Sequence, residues 1–188
     1  QRDRVLQQAD ALRRVLAEHL DEAAPGAPSV ALLAEGEAAM ARLFDPQHGG
    51  FGAQPKFPHP VAVRFLLNRW RDTGAAAPRD LAEHTLVAMQ LGGIHAHLAG
   101  GFHRYAGDAR WVVRHIDKMS YDNAELLRAY VEGHLELGHP GFAAAARGII
   151  RWVREVLADP EGGYGASQDA DVGLHDEGDY FPWTLEEA

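Results

Sequence analysis

The sequence predicts an all-α fold of helical hairpins, and three observations carry that prediction. Apolar residues recur at spacings of three and four along most of the chain, which is the helical period. Alternation with a period of two is confined to short pieces. A phrase of paired glycines and an aromatic residue appears three times, as "HGGFGAQPKFPHP", "GGFHRYAGD" and "GGYGASQDAD". From Gly49 to Gly100 is 51 residues and from Gly100 to Gly162 is 62. Such a period fits one hairpin plus one long loop, repeated as a toroid or array.

Taken in order, Val5, Ala9, Leu12, Leu16 and Leu20 mark a helix over 2–20, and a weaker alanine-rich stripe opened by Ser29 marks 29–44. Pro60 introduces a helix over 60–72, striped by Val63, Leu66, Leu67 and Trp70. Pro78 opens 79–98. Leu127, Tyr130, Val131, His134 and Leu135 define 121–138. The clearest stripe runs from Phe142 to Leu157 and gives 141–158, entered through Pro140. Extended pieces are expected at Arg110–Ile116 and in a hairpin between Gly163–Gln168 and Asp179–Thr184. The ending "TLEEA" places Glu187 three residues after Thr184, a capping box that opens a helix, so a piece of a longer helical protein is expected. The gaps at 45–59, 99–120 and 159–184 are long for helix connections. Their Trp, Tyr, Phe, His and Asp content predicts ordered loops gathered on one side.

Composition narrows the function. Of 188 residues, 46% are apolar and 24% charged, ordinary for a globular domain. A formal net charge of −9 with scattered basic residues argues against nucleic acid. No apolar run is long enough to span a bilayer, so no membrane partner is expected, and a cytoplasmic location is. With no cysteine, disulfides, thiol catalysis and cysteine-ligated metals are excluded. Neither a phosphate-binding glycine loop nor a Gly-x-Ser-x-Gly elbow is present. Neither cofactor nor metal is expected.

The chemistry concentrates in "GGIHAHLAGGFHRYAGDARWVVRHIDKMSYDNAELL", Gly92 to Leu127. Here His115, Asp117, Lys118, Asp122 and Asn123 fall within nine residues at a helix entry. An imidazole beside carboxylates is held in one tautomer and tuned for general-base work. The same cluster also reads as helix-entry ion pairing and capping. In "SQDADVG", Asp169 and Asp171 share a face if extended, which suits a carboxylate pair. Ser167, Gln168 and Asp169 equally suit hydrogen bonding within a loop. The stretch "QPKFPHP" points Lys56 and Phe57 from a stiff loop, either at an anionic ligand or at Asp169 or Asp122.

These stretches, with "FDPQHGGFGAQPKFPHP" and "GGYGASQDADVGLHDEGDYFPWT", resemble the thioredoxin-domain-containing family related to bacterial YyaL and the mammalian spermatogenesis-associated protein. The resemblance covers about Phe44 to Thr184, roughly three-quarters of the chain. It implies an α/α toroid of the six-hairpin glycosidase type, similar to N-acylglucosamine 2-epimerases, with short β-hairpins in the loops. Residues 1–28 would be a linking helix and loop, and 29–188 the first half of the barrel, without the thioredoxin-like domain. The family's central pattern is matched at Gly92, Gly93, Gly100, Gly101, Phe102, Arg104, Tyr105, Asp108, Trp111, His115, Lys118, Met119, Tyr121, Asp122 and Asn123. It is departed from at Ala96, Ala99, Arg114, Ile116, Asp117 and Ser120.

The resemblance implies a sugar-processing site that moves a proton beside a carbonyl. His115 would be the base, Asp117 its orienter, and Arg104 or Lys118 the stabiliser of enolate charge, with Asp122 also in the acid–base set. Lys56, Phe57, Phe102, Tyr105, Trp111, Tyr121, Asn123, Gln168, Asp169 and Asp171 would contact the sugar. Two alternatives stand beside this reading: a non-catalytic toroid that binds a glycan or serves as a scaffold, and a glycoside hydrolase with paired carboxylates. A half toroid is also expected to leave apolar helix faces bare, to be covered by the rest of the toroid or by a second chain.

Overall fold

The computed structural model describes residues 2–21 and 26–171, with the backbone alone for 19–21. The chain divides into two units, residues 1–33 and 34–188. The first holds helix α1, Arg2–Asp21, whose side chains from 2 to 18 are exposed, Val5, Ala9, Leu12 and Leu16 included. Helix α2, Ala31–Leu43, enters the second unit from residue 34.

The second unit continues with α3 (Pro60–Thr73) and α4 (Ala76–Leu91), then a two-residue strand β1 (Lys118–Met119). After it come α5 (Ser120–Leu137) and α6 (Pro140–Trp152), which runs into a π-helical turn, Val153–Leu157. Strand β2, Ser167–Gln168, is the last described element. Pro60 and Pro140 occupy the first helical turn, where a missing N–H costs nothing. At the far ends, the Gly74 and Gly138 amides close α3 and α5 by donating to the carbonyls of Trp70 and His134.

Two of the expected boundaries are corrected. Helix α4 stops at Leu91 rather than reaching residue 98, because Gly92 and Gly93 lie against the backbone of Trp111 and Val112. The stretch Arg110–Ile116 forms no strand; it makes only a bridge between Ala106 and Arg114. Ser167–Gln168 pairs with Lys118–Met119 in antiparallel register. The expected partner Asp179–Thr184 and the Thr184 capping box lie outside the described residues.

Helix α3 packs on α4 and on α5, and α5 packs on α6. The links after α3 and α5 are too short for anything but antiparallel hairpins. Both α3 and α5 therefore start from one end, and the three glycine-bearing loops emerge there together. Their backbones are joined: Lys56 and Ala106 exchange N–H···O bonds of 2.8 and 2.9 Å, and the Ser120 amide donates to Ala166 at 2.9 Å. Below the loops lies one core, built from Val63, Leu66, Leu86, Met89, Leu126, Tyr130, Phe142 and Ile149, all fully buried. The Tyr130 hydroxyl donates to the Leu86 carbonyl at 2.9 Å, which satisfies the only polar atom of that side chain. Val131 and Leu135 of α5 and Ile150 of α6 remain exposed.

Candidate functional site

The loop rim separates the candidate residues into internal braces and exposed groups. Lys56 has no solvent exposure. Its ammonium donates to Asp45 Oδ2 at 2.6 Å, to the Gly49 carbonyl at 2.9 Å and to the Ala109 carbonyl at 2.8 Å, and it lies 5.3 Å from the centre of the Trp111 ring. A buried charge needs such pairing. Burial pushes the Asp45 carboxyl up, but the Lys56 ammonium and the His48 and Gln47 amides outweigh it and hold the group below its ordinary value. Lys56 thus ties the first loop to the second. It is not available to an anionic ligand, and its partner is neither Asp169 nor Asp122.

Lys118 is equally buried, donating to the Gly100 carbonyl at 2.9 Å with its ammonium 5.6 Å from the Trp152 ring centre. Burial, assisted by the charge of Arg114, lowers its pKa to about 8. A cation sealed in the protein cannot meet enolate charge on a ligand, which corrects the expected role. Trp111 is 1% exposed, and its indole N–H donates to the His48 carbonyl at 3.0 Å. Phe102 is buried with its ring stacked between those of His95 and Tyr130. Asn123 is buried too and clasps the Phe102 backbone. None of these three offers a surface to a sugar. Gln168, half-buried, accepts from the Trp152 indole at 2.8 Å and so locks the third loop.

The remaining candidates do reach solvent, and several come together. His115, Asp117, Asp169 and Asp171 line one open cleft of about 390 Å³ with Arg114 and Ile116. His115 Nδ1 lies 3.2 Å from Asp117 Oδ2, while the other Asp117 oxygen accepts from the Ala170 amide at 3.1 Å. Asp117 thereby fixes both the imidazole and the third loop. Tyr105 stacks on His115 with ring centres 4.6 Å apart, and Phe57 lies 4.9 Å from Tyr105. A row of rings thus runs from the cleft to a second cavity.

That cavity, about 340 Å³, sits over the first turns of α3 and α5 and is lined by Phe57, His59, Tyr121, Asp122 and Glu125 among others. Tyr121 is 52% exposed. Asp122 Oδ2 is buried without a hydrogen-bond partner among the described residues. Burial raises the Asp122 carboxyl, partly offset by the charge of Arg104. Arg104, half-buried, also joins the region to Asp117 by donating its amide to the Asp117 carbonyl at 2.9 Å. No cluster of three or more metal-ligating side chains occurs among the described residues.

Sequence reasoning missed His59, Arg114 and Glu125 as lining residues. Glu125 carried a usable signal, since it follows Tyr121 by four residues and shares its helix face. His59 carried another: it immediately precedes the proline that opens α3.

No family model matches the chain. It is 38% identical over 154 residues to spermatogenesis-associated protein 20 of Mus musculus, a match covering 77% of this chain and 19% of that protein. The chain therefore spans about a fifth of that relative's length. In structure it is similar to a sugar epimerase from a ruminal bacterium, with a TM-score of 0.63 and 18% identity, over 73% of this chain and 40% of that one. It is likewise similar to cellobiose 2-epimerase from Bacillus thermoamylovorans, with a TM-score of 0.63 and 15% identity, over 75% and 42%. At these identities the structural likeness is one of fold. The chain belongs with the spermatogenesis-associated protein 20 homologues, and helices α3 to α6 of its second unit form part of an α/α toroid of the kind that sugar epimerases carry.

Proposed function

We propose that this chain contributes to a carbohydrate-processing site that moves a proton beside a sugar carbonyl. The observation that carries the reading is the 3.2 Å His115–Asp117 pair in an open cleft on the loop rim of an epimerase-like fold. With Nδ1–H donated to Asp117, the Nε2 lone pair of His115 is left to accept a proton. Applied to an open-chain aldose, the base removes the proton from C2. The C2–H bonding pair moves into the C1–C2 bond, and the carbonyl pair moves to O1, giving an enediolate. Arg104, whose charge acts on Asp122, is the cation this reading assigns to the enediolate. Return of a proton to the opposite face of C2, with the O1 pair re-forming the carbonyl, yields the epimer; return to C1, with the O2 proton passing to O1 and the carbonyl forming at C2, yields the ketose.

The test is solvent-deuterium exchange at C2 of a panel of aldoses and N-acyl sugars, run with the full-length parent protein and with this chain. Exchange is expected, and His115→Asn should slow it by about 10²–10⁴-fold, the usual worth of a positioned base. Absence of exchange on every sugar would refute the reading in favour of the scaffold alternative, to which the buried Lys56, Lys118 and Trp111 lend support.

A further inference from the structure

We propose that the cavity over the first turns of α3 and α5 is a subsite for a second, uncharged sugar ring, so that the ligand is a neutral saccharide of at least two units. The inference rests on the carbohydrate reading above and adds the class of substrate.

Four observations converge on this cavity. Its walls are apolar and aromatic, with Phe57 37% and Tyr121 52% exposed. Flat rings left in water suit the apolar C–H face of a pyranose. Its polar groups are the Asp122 and Glu125 carboxyls and the His59 imidazole, and no lysine or arginine lines it. Arg64 is held by Glu132 at 2.9 Å and Glu125 at 3.5 Å, and Arg104, whose charge acts on Asp122, is not among the lining residues. A phosphate or sugar acid would meet carboxyls in a wall that presents no lysine or arginine of its own.

Asp122 Oδ2 is buried here without a partner among the described residues. A buried oxygen in that state calls for a donor, and a sugar hydroxyl is one. Burial raises its pKa, against the charge of Arg104, and a hydroxyl donor would satisfy this oxygen without bringing in a second charge.

A row of rings also links the cavity to the reacting cleft. From Phe57 to Tyr105 is 4.9 Å between ring centres, and from Tyr105 to His115 is 4.6 Å. A reach of two stacked rings suits two linked sugars rather than one.

Calorimetric titration of the full chain with a β-1,4-linked glucose disaccharide, with glucose and with glucose 6-phosphate tests the proposal. The disaccharide should bind about tenfold more tightly than glucose, the worth of one good ring contact, and glucose 6-phosphate no more tightly than glucose. Tyr121→Ala should bring the disaccharide-to-glucose ratio close to one, and the near-isosteric Asp122→Asn should lower it, with melting curves confirming that both fold. Equal affinities for mono- and disaccharide, preference for the phosphate, or a ratio untouched by Tyr121→Ala would each overturn the subsite. Deuterium exchange in the same samples separates the two ideas. Disaccharide preference without exchange removes the proton transfer and keeps the subsite, whereas exchange without preference removes the subsite alone. If no sugar binds, both fail.

Discussion

Asn123 holds both polar ends of the Phe102 residue: its Oδ1 accepts from the Phe102 amide at 2.7 Å, and its Nδ2 donates to the Phe102 carbonyl at 2.9 Å. A third bond runs from Nδ2 to the Met119 carbonyl at 3.0 Å. One buried amide at the start of α5 therefore fixes the middle loop, and with it the position of Arg104 and Tyr105. Asn123→Ala should cost about 3 kcal/mol, since it strands buried backbone groups. Urea denaturation checks this, and a loss below ~1 kcal/mol would mean water replaces the amide.

Lys56 joins loops that are distant in sequence. Lys56→Met should destabilise by about 3–5 kcal/mol, because it leaves the 18%-exposed Asp45 carboxylate and two carbonyls unpaired. The acid limb should also change. A depressed folded pKa gives stability that is present above the unfolded carboxylate value, about 4, and lost as pH falls below it. Asp45 and Asp108 both have this depression. Burial raises the Asp108 carboxyl, but amides of Val113, Val112 and Arg110 outweigh it. Below about pH 4 the wild-type chain should lose stability more steeply than Lys56→Met.

Two histidines act at higher pH. Burial lowers His103 to about 3 and His95 to about 4, against hydrogen bonds to the Ile116 and Gln90 backbone carbonyls that favour the charged form. The unfolded chain takes up these protons near pH 6.5, and the folded chain does not until far lower pH. Stability should therefore fall as pH drops from about 6.5 to 4, by up to ~1.4 kcal/mol per pH unit for each histidine. His103→Asn should remove about half of that slope in chemical denaturation between those limits.

Gly100 has φ +83°, and a Cβ there would collide with the Gly148 backbone of α6. Gly74 has φ +69° with open space around it. Alanine at Gly74 should cost only the left-handed strain, about 1–2 kcal/mol. Gly100→Ala should cost at least ~2 kcal/mol more, because backbone meets backbone and neither can turn aside. Equal melting temperatures for the two variants would contradict this placement of the middle loop on α6.

Val131 is 41% and Leu135 77% exposed, one turn apart on α5. Covering by a second copy is the expected outcome for the isolated chain. Sedimentation should show concentration-dependent association that Leu135→Ser weakens, and a monomer at every concentration would refute it.

Much of the fold was legible because it depends on local chemistry. The spacing of Val63, Leu66 and Leu67 forms the buried stripe of α3, and Pro60 and Pro140 mark helix entries to the residue. Glycines after residue 91 were also legible, yet the alanine and histidine content of the following segment disguised the stop. It was imposed from outside, by the Trp111–Val112 backbone lying against Gly92 and Gly93.

The candidate site divides in the same way. Spacing picked out His115, Asp117, Asp122 and Asp169 as chemistry-bearing, the family resemblance added Tyr121, and these line the two rim cavities. For Lys56, Lys118, Trp111, Phe102 and Asn123 the same motif density led outward, to a ligand, while the chain turns them inward. Whether a lysine meets solvent or a carbonyl depends on residues far along the chain. Ala109, 53 residues away, supplies one acceptor for Lys56, and Gly100 supplies one for Lys118. The sequence by itself determined the helices, the turns and the inventory of reactive groups, since these follow from neighbours within a few residues. Only the tertiary structure decided which of those groups brace the rim and which face a cavity, because burial is set by packing between segments that no local pattern records.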